Sequence, residues 1–100
     1  SKFADELAFQ TIIKRINSSD SEIRRNVSMA LSRTPHPKAE KYMLSMRNDS
    51  SESIRLDVVH YLGRNKTEKS TEILKTMTND NSSYVREEVR RYLIERGEKL

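Results

Sequence analysis

The 100-residue chain has no cysteine and no tryptophan, and only two glycines and two prolines. Without cysteine there is neither a disulfide framework nor thiolate chemistry, which fits a reducing, cytoplasmic setting. Zinc also loses its commonest structural ligand. So few turn-forming residues argue against a β-rich fold with its many tight hairpins and favour long helices. No apolar run approaches the roughly 20 residues of a membrane span, and the first residues lack a signal-peptide pattern. The chain starts with Ser rather than Met, which points to a piece excised from a longer protein.

A block of one charge sign is missing too. The net charge is +4, but Asp and Glu are interleaved with Lys and Arg along the whole chain, the mark of solvated helix faces. Nucleic-acid binding would need basic residues with aromatic partners. The candidates Arg25, Arg33, Arg64, Arg90 and Arg91 alternate with Glu22, Asp57, Glu87, Glu88 and Glu95, which repel phosphate.

What the sequence does contain is a period. Ile23-Arg24, Ile54-Arg55 and Val85-Arg86 recur 31 positions apart, and the same step carries Val27 onto Val58 and Val89, and Leu31 onto Leu62 and Leu93. A period of this size marks stacked supersecondary units, none of which can bury its apolar face alone. The copies span about 5–35, 36–66 and 67–97 of one domain.

Each copy holds two amphipathic stretches. Leu7, Ala8, Thr11, Ile12, Arg15 and Ile16 share one helical face, as do Ala39, Tyr42, Met43 and Met46, and Ile73, Leu74 and Met77. These predict A helices at about 3–16, 37–47 and 68–78, with Pro37 in the first turn of the second and Thr67 capping the third. The stripes Ile23, Val27, Ala30, Leu31, then Ile54, Val58, Tyr61, Leu62, then Val85, Val89, Tyr92, Leu93 predict B helices at about 21–33, 52–63 and 83–96. Ser/Asn/Asp clusters precede all three, where short polar side chains cap free backbone N–H groups. Gly63 and Gly97 fall where left-handed C-terminal caps are expected.

The motif Asn-Asp-x-x-x-x-Ile/Val-Arg-x-x-Val-x-x-x-Leu resembles the HEAT repeat, in its short form of the phycobilisome-lyase-like type. The resemblance covers about 5–97. It implies an all-α right-handed solenoid (an α-α superhelix) of three helical hairpins and six helices, with A helices convex and B helices concave. It also implies that Arg24, Arg55 and Arg86 bond to turn aspartates (Asp49, Asp80) and backbone groups of their own or the adjacent repeat, tying successive turns together. In the first copy Ser18 stands where the others have Asp, and Asp20 is the nearest carboxylate to replace it.

Catalytic arrangements do not emerge. The shared repeat phase of Asp49 and Asp80 explains both without a paired-carboxylate role. His36, in a Pro-flanked turn, and His60, on the polar side of a B helix, read as surface histidines with no triad spacing around them. More suggestive is the stripe opposite the B-helix core, where Arg25 and Met29, Leu56 and His60, and Glu87 and Arg91 fall in register. Apolar residues ringed by charge can form a partner surface, and Met adapts to varied shapes. Tyr84 and Tyr92 are candidates for a covered seam near the C-terminal end. The expected function is a non-enzymatic scaffold, without a cofactor, that binds a polypeptide partner or flanking domains of its own chain on the B-helix face. The alternatives are a nucleic-acid-binding module and a subunit resembling a phycobilin lyase.

Overall fold

Apolar positions three and four residues apart fold into helices here, each ended by a polar turn. The computed structural model describes residues 1–100, and its elements are α1 (Lys2–Ile13), α2 (Ser21–Leu31), α3 (Ala39–Ser45), α4 (Glu52–Arg64), α5 (Glu68–Thr76) and α6 (Ser83–Glu95), with no strand. The odd-numbered helices are the A helices and the even-numbered ones the B helices. Hairpins α1–α2, α3–α4 and α5–α6 stack so that α2 packs on α4 and α4 on α6. The result is an all-α solenoid in phase with the 31-residue period, with Cα extents of 44 × 28 × 14 Å.

Local chemistry sets the ends. Asp20 accepts the Glu22 N–H (2.9 Å) and Ser82 the Val85 N–H (3.3 Å) at the starts of α2 and α6. Thr67 caps α5 through a reciprocal pair with Ser70, at 3.0 Å each way. α3 is shorter than its pattern predicts and starts after Pro37, because the chain at both ends bonds one residue closer than an α-helix does, Ala39 N–H to His36 O and Met46 N–H to Met43 O at 3.0 Å each. Gly97, with φ of 79°, closes α6 as expected, its N–H bonding to Ile94 O and that of Glu98 to Leu93 O.

Gly63 does something else. It lies inside α4 and is buried, and a Cβ there would sit 2.3 Å from Cζ of Tyr92 on the next B helix. The residue is a close-approach site between repeats, not a cap. The carbonyls of Leu62 and Gly63 near the end of α4 are instead bound by the Arg96 guanidinium at 2.7 and 3.2 Å, which also holds Ser70 and Thr71. A cation at a helix C-terminus complements the helix dipole.

One cluster of 16 buried apolar residues runs through all three hairpins. Val27, Leu31, Ile54, Val58, Leu62, Val85, Val89 and Leu93 supply the B-helix stripe as predicted, and Ala39, Met43, Met46, Leu74 and Met77 supply the A helices. The first hairpin departs from expectation. Leu7 and Ile23 are exposed and Phe9 is fully buried. Phe9 stacks on the His36 ring at 3.6 Å and meets Tyr42 edge-on, turning α1 toward the loop that follows α2.

Alanine is better than glycine inside a helix by about 1 kcal/mol, but crowding a packed site costs about 1–3 kcal/mol. With the Tyr92 ring across Gly63, crowding should win. Gly63→Ala is expected to lower the urea midpoint in the natural chain and to raise it or leave it unchanged when Tyr92 is first replaced by Ala. At fully buried Leu62, truncation to Ala should cost about 2–5 kcal/mol in the same measurement.

Candidate functional site

Two rows of polar contacts hold successive repeats in register. In the inner row, Arg24 donates from Nε and Nη2 to Asp49 of the next repeat at 2.9 and 3.0 Å, while Nη1 donates to Ser18 O of its own at 2.9 Å. Arg55 repeats the pose, with Asp80 at 2.9 and 3.1 Å and Asp49 O at 2.8 Å. The planar guanidinium fits this two-pronged grip on a carboxylate. Each Asp also accepts the N–H two residues on, Ser51 or Ser82, at 2.9 Å, so it forms the turn ahead of its own helix. The Asp and Arg six apart within one repeat therefore do not pair through side chains. The repeat's own turn gives the Arg a carbonyl, and the following repeat gives it the carboxylate. Asp20 takes no part in this row and caps α2 instead.

Arg55 is only 8% exposed. Its hydrogen bonds help keep Asp80 ionised: burial by itself would raise that carboxyl, but the bonds from Arg55 and the Ser82 N–H, with the charges of Arg55 and Arg86, hold it below its ordinary value. For Asp49 the bonds from Arg24 dominate over burial in the same direction.

The outer row lies on the face where the stripe was expected. Arg25 donates to Asp57 of the next repeat at 2.7 Å, and Ser28, fully buried, donates to the same oxygen at 2.6 Å. His60 shares a 2.8 Å hydrogen bond with the Tyr92 hydroxyl and lies 3.8 Å from Glu88. Leu56 is half-buried and packs on the core cluster. Met29 and Glu87 are exposed. Arg91 is exposed but engaged, with Glu88 at 2.7 Å, Glu95 at 3.1 Å and its guanidinium 4.4 Å from the Tyr92 ring centroid. Of the six expected residues, Arg25 and His60 are fixed by inter-repeat contacts and Leu56 by the core cluster, whereas Met29 and Glu87 are exposed.

Ser28 and Val59, both fully buried, fall outside the single apolar stripe. A helix in a stack buries one face against its hairpin partner and another against the next repeat, so a 100°-wide stripe is too narrow. A small or apolar residue one position after Val27 and after Val58 was the available signal. His36 is not a free surface histidine. Its Nδ1 accepts the Lys38 N–H, which leaves Nε2 to donate to Glu6 at 2.6 Å. No group of three or more His, Asp or Glu side chains converges as a metal site would require, and no helix is long and apolar enough to cross a membrane.

A groove of about 300 Å³ opens at the N-terminal end, lined by Thr11, Ile12, Arg15, Ile23, Asn26, Val27 and Ala30. Asn26 and Ala30 on α2 are counterparts of Asp57 and Tyr92, through which α4 meets α2 and α6 meets α4.

Stacked helical hairpins bound turn to turn by a repeated Arg–Asp contact define an α-solenoid repeat protein. The family of HEAT repeats matches residues 9–94, and the chain belongs to that family. Comparison with curated protein sequences brings out no match. HEAT repeats generally serve as scaffolds for protein–protein interaction.

Breaking a buried ion pair by removing one partner typically costs about 3–5 kcal/mol. Asp80→Asn keeps the turn acceptor but strands the buried Arg55 charge, and should cost about 3 kcal/mol or more in denaturant unfolding. Asp49 and Asp80 bind protons less readily folded than unfolded. Their stabilisation is thus complete above the ordinary value of 3.8 and is lost as pH falls below it through the folded values. The acid limb of stability against pH should be shallower in Asp80→Asn than in the natural chain; equal slopes would mean that Asp80 is not coupled to folding.

Proposed function

We propose that the chain is a non-enzymatic interaction module that presents its B-helix face to a polypeptide partner. The observation that carries this reading is the unequal fixing of the stripe. Arg25 and His60 are held in place by the repeat that follows them and Leu56 by the core cluster, and around them Met29, Glu87 and Arg91 remain accessible. A surface fixed before binding loses less conformational entropy when a partner arrives. Met29 supplies adaptable apolar contact, and Arg91 laid on Tyr92 offers the amphipathic area from which interface anchors are drawn.

Charge pairing favours a polypeptide over nucleic acid. Arg25 is matched by Asp57, and Arg91 by Glu88 and Glu95. A phosphate backbone approaching this face would meet carboxylates beside every one of these guanidinium groups.

Photo-crosslinking side chains placed at Met29 and Glu87 should capture protein from the native cell extract, while those at Lys41 and Glu72 on the A helices should not. Met29→Asp with Glu87→Lys should abolish the capture and move stability by no more than about 0.5 kcal/mol, as exposed substitutions do. Capture from the A helices alone would place the partner on the other face. Binding to arbitrary DNA with log affinity falling linearly against log salt would replace the reading with a nucleic-acid one.

A further inference from the structure

The joint between the first two repeats differs at one place from the joint between the second and third. At the later joint the Arg96 guanidinium lies between the end of α4 and the start of α5, bonded to Leu62 O, Gly63 O, Ser70 and Thr71. One period earlier Asn65 stands for Arg96, and Ala39 and Glu40 stand for Ser70 and Thr71. Asn65 is too short to cross the gap and turns its amide back to Tyr61 O at 2.8 Å. Ser32 stands for Gly63, and a Cβ at that position excludes the pose in which the Tyr92 ring covers Gly63. The place stays open as a cleft of about 320 Å³ between the chain that follows α2 and the end of α4, and both its walls are repeats of this chain.

The cleft is cationic. Arg33 and Arg64, one period apart and both exposed, line it, and no Asp or Glu does. Apart from Arg90, every other arginine donates a hydrogen bond within the molecule. These two donate none. At the later joint the same positions read Arg64 and Glu95, so the doubled guanidinium belongs to this joint. Tyr61 also lines the cleft, with a hydroxyl that no side chain engages. Burial raises the pKa of that hydroxyl, the charge of Glu40 adding to the effect and that of Arg64 opposing it, so the phenol is a neutral donor at neutral pH. Glu40 itself pairs with Lys69 at 3.7 Å.

We propose that this cleft binds a phosphate monoester, its oxygens shared between the Arg33 and Arg64 guanidinium groups, with Tyr61 and Asn65 as neutral donors. A guanidinium presents paired N–H groups that match phosphate oxygens, and the cleft has the size of small-molecule sites, about 300–1,000 Å³. α2 and α4 both end here, and the negative end of a helix dipole opposes an anion. Two guanidinium groups are needed to outweigh that opposition. A group carrying about −1.5 to −2 charge at pH 7, as a phosphate monoester does, gains more from the pair than a carboxylate. The phosphate can be carried by serine or threonine of a polypeptide or by a small molecule, and the chemistry at the cleft is the same. The site lies at the ends of the B helices and does not draw on the stripe containing Met29.

Arginine Nε–H signals of the nitrogen-15-labelled chain in NMR read the site directly. Phenyl phosphate should shift the Arg33 and Arg64 signals along one saturable curve, whereas acetate at equal ionic strength should not. Arg33→Gln and Arg64→Gln should each weaken binding about tenfold or more, the worth of a hydrogen bond to a charged group, and leave thermal unfolding unchanged. Arg90→Gln should have no effect on binding. A phosphoserine peptide that binds more tightly than phenyl phosphate would assign the group to a polypeptide, and equal affinities would assign it to a small phosphorylated molecule. Shifts that never saturate, or that acetate reproduces, would overturn the proposal. So would equal weakening by Arg90→Gln, the sign of a response to overall charge.

Discussion

The contact on which the rest depends is the carboxylate at the start of each internal B helix. Asp49 and Asp80 each have one oxygen on a backbone N–H of their own turn and both oxygens on the guanidinium of the preceding repeat. One side chain thus sets where a helix begins and where the previous hairpin must lie. Hydrophobic burial provides most of the stabilisation, since one apolar cluster runs the length of the stack. Burial alone is indifferent to small slides of one hairpin over the next. The Asp–Arg grip fixes the register, and with it the alignment of residues on the exposed side of the B helices.

Much of the fold was legible because the period repeats both the core and the punctuation. Val27, Val58 and Val89 are buried in turn, the polar clusters fall in the turns, and Thr67 and Gly97 cap as their types dictate. What could not be read were relations between repeats. Gly63 has the sequence signature of a cap, and only the position of Tyr92 across it reveals a packing constraint. Phe9 breaks the repeat phase because it answers to His36, one loop away, not to an equivalent in another copy. Whether Arg24 meets its own Asp or the neighbour's is likewise a matter of stacking geometry.

The stripe on the B helices was placed by helical phase. Phase could not show that Arg25 and His60 are engaged by the following repeat while Met29 is not. The same contacts give the two ends of the stack different characters. At the N-terminal end α1 and α2 frame an apolar groove, and at the C-terminal end Arg90 and Ile94 are exposed.

The central claim is that the carboxylate and guanidinium of adjacent repeats act as one unit, and a double-mutant cycle on Arg24 and Asp49 tests it most directly. Unfolding free energies of Arg24→Met, Asp49→Asn and the double variant should reveal a coupling within the range of about 0.5–3 kcal/mol found for residues in one network. The double variant would then lose clearly less than the sum of the two single losses. Additivity within about 0.3–0.5 kcal/mol, the behaviour of independent sites, would mean that the repeats are held in register by packing alone.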